Sequence, residues 1–189
     1  MTNVDRFRPY RLRPNSDDIL FYHVYDSLSE TPFVTNIGII SGKGLNCTTP
    51  PHAVITYREF ANHLNCDNRE PTSFISFSRN SKDAYEEAMR RMGQIRVKDP
   101  HGGPDLERNP KSVRIAIASA SAMDNTKTFY FSTLDLIDML KITSDSYISP
   151  QLRENEWFVL GYIPTDAIVI DVVPEVFHQV LGVVDRRQG

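Results

Sequence analysis

The segment RENEWFVLGYIP, residues 153–164, decides the fold of this chain. It places two carboxylates, Glu154 and Glu156, at the entrance of an apolar and aromatic run. Residues two apart on a β-strand point to the same face, about 7 Å apart along the chain. If the segment is a strand, the two Glu side chains share a face, as a catalytic carboxylate pair at a cleft edge would. The alternative is a solvated strand entrance, which the pattern alone favours because exposed Glu is the ordinary case.

Length and charge restrict the class of protein. The chain has 189 residues, of which 40% are apolar and 24% charged, which is typical of a globular domain with its own core. Its net charge of −3, from 21 basic and 24 acidic residues, argues against broad nucleic-acid or membrane-surface binding through bulk charge. We predict an Arg-rich N-terminal arm over residues 1–18, broken by Pro9 and Pro14, and a single domain over residues 19–189.

Targeting signals and cysteines bear on the compartment. The first residues are polar and have no apolar core of signal-peptide length, and no run approaches the roughly 18 apolar residues of a membrane helix. Cys47 and Cys66 allow one bridge, but two reduced thiols are the expectation for a cytosolic protein. We therefore expect a monomer, cytoplasmic where it is made, with no membrane or nucleic-acid partner. A protein delivered into another cell by specialised machinery would have the same composition.

Alternating and β-branched patterns predict about six strands. The first covers residues 19–25 and is rich in aromatic side chains, and the next, residues 74–78, alternates apolar and hydroxyl residues. Further strands are predicted at residues 113–118, 156–163, 167–173 and 176–184.

Helical signals are fewer. Thr56 begins a capping-box pattern for a helix that ends near Asn65. A second helix is predicted over residues 81–92 and a third over residues 133–141, with Thr133 as its cap. Residues 93–112 are rich in Gly and Pro and are predicted to form a loop. Short helices among many strands favour an α+β fold with mixed or antiparallel sheets over a doubly wound one.

Zinc-type ligands occur at four positions before the second strand. Cys47, His52, His63 and Cys66 are the residue types that bind zinc. Their spacing matches no standard zinc finger, and Leu64 beside His63 belongs to the buried face of the first helix. We therefore predict no metal site.

Three motifs, taken in order, make the chain resemble the ADP-ribosyltransferase fold, in particular the group of the heat-labile enterotoxin and cholera toxin catalytic chains. That group has a first strand with an L-Y-R pattern, a strand with S-T-S before a helix, and a Glu-x-Glu strand that continues as L-G-x-I-P. The corresponding pieces here are FYHVYD at residues 21–26, FISFS at residues 74–78 and ENEWFVLGYIP at residues 154–164. The resemblance spans about residues 19–173, and the third piece is its most specific part.

Two positions depart from that group. His23 stands where the first-strand Arg is expected, as in the diphtheria-toxin and poly(ADP-ribose) polymerase branch of the fold. Phe77 takes the middle position of S-T-S, while Ser76 and Ser78 keep the two flanking hydroxyls. The chain therefore resembles a mixture of the two branches.

The resemblance implies NAD as the substrate and a role for each carboxylate. Glu156 would hydrogen-bond the ribose 2′-hydroxyl while positive charge develops in an oxocarbenium-like state, as in glycoside hydrolysis. Glu154 would orient or activate the acceptor nucleophile. Ser76 would hold Glu156 in place.

The resemblance also implies the residues that bind NAD. Ser78 would support the nicotinamide pocket. His23 would hydrogen-bond the ribose or phosphate region, with Tyr22 beside it as a pocket wall. Core packing is an equally good explanation for Tyr22, and a lone His in an apolar strand is more often structural than catalytic.

The implied activity is mono-ADP-ribosylation of a protein, with Arg as the default acceptor of Glu-x-Glu members, or hydrolysis of NAD. A second hypothesis comes from another class: a catalytically degenerate member of the fold that binds a partner or a nucleotide. His23 and Phe77 motivate this alternative. A relative of the RNA 2′-phosphotransferases would need several Arg and His residues in its cleft.

Overall fold

The computed structural model describes residues 2–3, 19–44, 54–65, 70–99, 102–142 and 154–187. Within these residues no helix is long and apolar enough to cross a membrane. The strands, in chain order, are β1 (Thr2–Asn3), β2 (Leu20–Tyr25), β3 (Phe33–Val34), β4 (Gly38–Ile40), β5 (Val54–Ile55), β6 (Phe74–Ser78), β7 (Arg96–Val97), β8 (Leu106–Glu107), β9 (Arg114–Ser119), β10 (Tyr130–Ser132), β11 (Glu156–Leu160), β12 (Tyr162–Pro164) and β13 (Ile168–Val172). The α-helices are α1 (Tyr57–Leu64), α2 (Ser81–Gly93), α3 (Ala120–Asn125), α4 (Thr133–Leu140) and α5 (Pro174–Arg187).

A six-stranded antiparallel sheet forms the centre of the fold, in the order β10-β11-β6-β2-β9-β13. A second sheet has the order β12-β4-β3 and is also antiparallel. The predicted α+β fold class with antiparallel sheets and a few short helices is therefore confirmed.

Strand alternation divides the core between the two faces of the central sheet. Ile75 on β6 belongs to a cluster that includes Ile39 and Ile163 of the second sheet. Its neighbour Phe74 points the other way, into a cluster with Phe60 of α1. Further along that face, a third cluster joins β2 and β9 to α2 and α5. Helices α1, α2, α4 and α5 thus cover one face, and the second sheet packs on the other together with α3.

The segment that decides the fold links the two sheets. The predicted strand over residues 156–163 is divided at Gly161, whose φ of 84° favours glycine. Before it, β11 pairs with β6 in the central sheet; after it, β12 pairs with β4 in the second sheet. Gly161 N donates to Ser73 O at 2.7 Å and Gly161 O accepts from Ser41 N at 2.8 Å. One glycine thus carries the chain from one sheet into the other.

The predicted last strand, residues 176–184, is wrong, because this segment lies in α5. Pro174 opens the helix, where its missing N–H is no loss, and Glu175 lies in the first turn. Phe177 is fully buried, and Val180 and Leu181 pack against the same cluster at helical spacing. The prediction followed the β-branched composition instead of this period.

Other boundaries also differ from the sequence prediction. Ser132, not Thr133, caps α4, since Ser132 Oγ accepts a hydrogen bond from Asp135 N. Thr133 is instead fully buried. The predicted loop at residues 93–112 contains the β7–β8 pairing and a 3₁₀ turn at Pro110–Ser112. Helix α3 and strand β10 were not predicted, because both are short and lack a clear period.

The predicted arm and zinc-type ligands fall largely outside the described residues. Of the arm, the structure describes Thr2–Asn3, which pairs with β5. Of the four zinc-type residues, it describes His63 on α1. Within the described ranges no group of three or more His, Cys, Asp or Glu side chains could hold a metal ion.

Candidate active site

The candidate active site lies at a fork, the place where the neighbouring central strands β2 and β6 separate. β2 pairs with β9 along its whole length. With β6, by contrast, its pairing in the described part of the chain is confined to Tyr22 opposite Ser78. Beyond this point a side chain connects the two strands, because His23 Nδ1 lies 2.8 Å from Ser76 O. The fork forms one wall of a cleft of about 860 Å³.

The cleft brings together five of the six residues predicted for the site. Its lining includes Tyr22, His23, Ser76, Ser78 and Glu156, from β2, β6 and β11. The sixth, Glu154, is exposed in the turn that precedes β11. The expected face-sharing of the two Glu side chains required strand geometry at both positions, and Glu154 lies outside the strand.

Three of these residues form one row across the sheet. Tyr22 is opposite Ser78, and Ser78 is opposite Glu156, so their side chains leave the same face. Glu156 is half-buried. The backbone of Glu156 is held by the Thr133 hydroxyl, which donates to Glu156 O at 2.7 Å. The sheet therefore places the carboxylate beside a hydroxyl at a set position on the cleft wall.

Ser78 and Tyr22 also have structural partners. The Ser78 hydroxyl accepts from Asn80 N at 3.0 Å and donates to Asn80 O at 3.2 Å, which forms the turn into α2. The ring of Tyr22 packs edge-on against Phe177, with 5.7 Å between ring centroids, and is 7% exposed. Both residues therefore support the cleft wall as well as line it.

His23 is buried and uncharged. Burial lowers the pKa of His23 to about 4; the hydrogen bond with Ser76 O opposes this shift, and the nearby positive charge of Arg91 adds to it. Ser76 O can only accept, so Nδ1 carries the proton. The neutral Nε2 then accepts from the Thr31 hydroxyl at 3.1 Å. Both ring nitrogens are thus engaged within the protein.

A second histidine, His63, belongs to the cleft and was not predicted there. Its Nε2 lies 3.0 Å from Ser76 Oγ, and its Nδ1 is hydrogen-bonded to Thr72 Oγ1. That Ser76 holds Glu156 stays a prediction; within the described residues the Ser76 hydroxyl is hydrogen-bonded to His63. The helical period of α1 predicts Leu64 as buried, and it gives no signal that His63 faces a serine 13 residues later.

Charged residues from the end of the first motif, from α2 and from the segment after β8 form another part of the cleft lining. Asp26 follows β2 with a fully buried side chain, 3.2 Å from both Arg91 Nη1 and Arg108 Nε. Arg91 also donates from Nε to Glu87 at 2.7 Å, and Arg90 binds the same carboxylate with two nitrogens. Burial alone would raise the pKa of Glu87, but these hydrogen bonds hold it below its ordinary value. We name these five residues the arginine cluster.

The comparisons with known proteins place the chain in a family and a fold. The family model described as "Domain of unknown function (DUF7587)" matches residues 17–176. No curated protein matches the sequence. Among solved structures, EcPltA is similar at 16% identity and a TM-score of 0.50, over 84% of this chain and 77% of that chain. This similarity bears out the predicted ADP-ribosyltransferase-like fold.

Two structures of DarT from Thermus sp. 2.9 show lower scores. The complex with ADP-ribosylated ssDNA has a TM-score of 0.39 at 13% identity, over 89% of this chain and 88% of that chain. The complex with NAD+ has a TM-score of 0.38 at 14% identity, over 90% of each chain.

Proposed function

The chain belongs to the DUF7587 family, and we propose that it is an NAD-dependent mono-ADP-ribosyltransferase that uses a protein side chain, or water, as acceptor. One observation carries the proposal. His23, Ser76, Ser78 and Glu156, which come from three separate motifs, line a single cleft at a fork in the central sheet. The same motifs carry the resemblance to the transferase group, and the fold is the one that the resemblance implies.

The chemistry assigns the central role to Glu156. Cleavage of the bond between nicotinamide and ribose leaves the bonding pair on the nicotinamide nitrogen, and positive charge develops on the ribose. A carboxylate that accepts a hydrogen bond from the 2′-hydroxyl binds this state more tightly than the ground state, which accelerates the reaction. The acceptor then attacks C1′ and loses a proton. Glu154, exposed in the turn before β11, would take that proton or orient the acceptor.

The test is nicotinamide release from NAD by the purified chain and by Glu156→Gln, which removes the negative charge but keeps the shape. We expect release to fall at least about 100-fold, since a transition-state charge contact of this kind contributes roughly 3 kcal/mol. Glu175→Gln is the matched control, because Glu175 is exposed on α5. Equal release by Glu156→Gln and the control would contradict the proposal.

The acceptor is tested with Glu154→Gln. If Glu154 acts on the acceptor, this variant loses transfer to protein while it retains hydrolysis of NAD. Labelled NAD with an Arg-rich protein is the first acceptor assay, with single-stranded DNA as a parallel arm. Transfer to DNA alone would replace the protein acceptor in the proposal, and it would also contradict the expectation of no nucleic-acid partner.

A second candidate function is a binding module of the same fold without catalysis. The observation in its favour is the engagement of both ring nitrogens of His23 within the protein. This candidate predicts no nicotinamide release from any variant, together with saturable binding of a nucleotide or protein. Release that depends on Glu156 would exclude it.

A further inference from the structure

We infer that the arginine cluster binds the diphosphate of the nucleotide, with Arg91 as the central contact, in place of the cationic side chain that the first strand lacks. The inference rests on the proposed function, because it takes NAD as the ligand. It assigns a positioning role to α2, the helix that follows the second motif and for which the resemblance implies no residue role.

The first step is that His23 cannot supply the positive charge. A diphosphate carries two negative charges, which proteins bind with cationic donors, most effectively with guanidinium groups. His23 is 5% exposed, donates from Nδ1 to Ser76 O and accepts at Nε2 from Thr31. A neutral ring with both nitrogens engaged offers the diphosphate neither a charge nor a donor.

The charges around the cleft are unevenly distributed. Among the described lining residues, the positive charges belong to Arg90, Arg91 and Arg108. Outside the cluster, the charged lining residues are the carboxylates Glu30, Asp83 and Glu156. A diphosphate would be repelled along those parts of the cleft, so the arginine cluster is the favourable place for it.

The arginine cluster has N–H donors that are not used within the described part of the protein. Three guanidiniums contact two carboxylates, Asp26 and Glu87, so the cluster has an excess of one positive charge. Each guanidinium carries five N–H donors. Arg91 uses Nε toward Glu87 and Nη1 toward Asp26 and Ser29, and within the described residues its Nη2 makes no hydrogen bond.

The Arg91 side chain is held in place and points along α2. Asp26 and Glu87 hold Arg91 from two sides, and its side chain is 23% exposed, so little rotamer entropy remains to be lost on binding. Side chains on a helix lean toward its N-terminus, and the bond from Arg91 to Glu87 one turn earlier shows this direction. Arg91 therefore reaches back along α2 toward the end that follows Ser78.

The test compares the binding of ADP and adenosine by calorimetry at one ionic strength. The two ligands share the base and ribose and differ in the diphosphate. The wild type should bind ADP more tightly than adenosine. Arg91→Gln should weaken ADP binding about tenfold or more, as expected for loss of a charge-assisted hydrogen bond, and leave adenosine binding within about twofold. Lys82→Gln removes a charge from the exposed face of the same helix and should change neither affinity.

Folding is controlled with two further variants. Arg91→Gln removes one of the two partners of buried Asp26, so it is first compared with wild type by thermal unfolding. Arg91→Lys keeps the charge next to Asp26 but not the forked donors, and we expect it to lose more ADP affinity than Lys82→Gln. Arg90→Gln does not touch Asp26 and should weaken ADP binding at least about threefold, because it lowers the excess charge.

Two outcomes would overturn the inference: no ADP binding by the wild type, or ADP binding that the Arg91 and Arg90 variants leave unchanged. Failure of the proposed function is distinguishable from either. ADP binding through Arg91 without nicotinamide release leaves the diphosphate site in place and removes the transferase. Nicotinamide release with ADP binding that is independent of Arg91 leaves the transferase in place and removes the diphosphate site.

Discussion

His23 Nδ1 lies 2.8 Å from the backbone carbonyl oxygen of Ser76 and joins β2 to β6 where their pairing ends. In an antiparallel ladder the backbone groups would make such connections themselves. Here an imidazole takes their place, and the space next to it becomes the cleft. His23 therefore has an architectural role that is visible without any ligand.

The low pKa of His23 predicts a pH dependence of stability. With a folded pKa of about 4 and an unfolded value near 6.5, the unfolded chain binds the extra proton between these limits. Stability should therefore rise with pH from about 4 to about 6.5, and His23 accounts for roughly 3 kcal/mol of this rise. Urea unfolding at several pH values measures it. His23→Gln should flatten the dependence, whereas His178→Gln, at an exposed position of α5, should not.

Thr31 competes with any ligand for His23. If NAD binds at Nε2, it first displaces the Thr31 hydroxyl, which costs about 0.5–1.5 kcal/mol. Thr31→Val removes this competitor at nearly constant volume and should tighten NAD binding by about two- to tenfold. Thr31→Ser keeps the hydroxyl and is the control. Weaker binding by the Val variant alone would show that Thr31 itself contacts the nucleotide.

Asp26 anchors the arginine cluster, and its loss should be costly. Asp26→Asn leaves Arg91 and Arg108 facing each other without the buried carboxylate that lies 3.2 Å from both. Breaking a buried ion pair typically costs about 3–5 kcal/mol, and we expect a loss of stability in that range. Chemical denaturation measures it. A loss below about 1 kcal/mol would mean that the network contributes little to folding.

Gly38 is the position where a methyl group fits least well. Its φ is +115°, and a Cβ there would overlap the backbone oxygen of Ile163 on the neighbouring strand β12. Gly38→Ala should therefore lower the free energy of unfolding by more than about 2 kcal/mol. Gly93→Ala is the matched control, because a Cβ at Gly93 meets no atom within 4 Å at the end of α2. We expect that change to be neutral or slightly stabilising.

The sequence predicts the parts of the site that local patterns encode. Glu156, Ser76 and His23 lie on strands that the alternation of the sequence predicts. The resemblance to the transferase group predicts that these three residues lie in one cleft. Asp26 and Arg91 come together across 65 positions. No local pattern pairs a carboxylate after one strand with one particular Arg of an amphipathic helix. Such a pairing follows from topology, so the arginine cluster emerges only with the structure.

The error at residues 176–184 has a different cause. The β-branched composition favours a strand, but the composition of a segment is a weaker guide than its period. Phe177 and Leu181 lie four apart on α5 and meet the same core cluster. The tertiary contact outweighs the intrinsic strand preference of the Val residues in this segment.

The turn at Gly161 has a consequence for the order in which the protein is made and becomes active. The strand that carries Glu156 continues, through one residue, into the strand that completes the second sheet. We therefore expect Glu156 to reach its final position only when both sheets have docked. On refolding from urea, we expect nicotinamide release to return with the slowest kinetic phase and not with the first gain of β-structure. Under the proposed function, cleavage of NAD would begin only after the second sheet has formed.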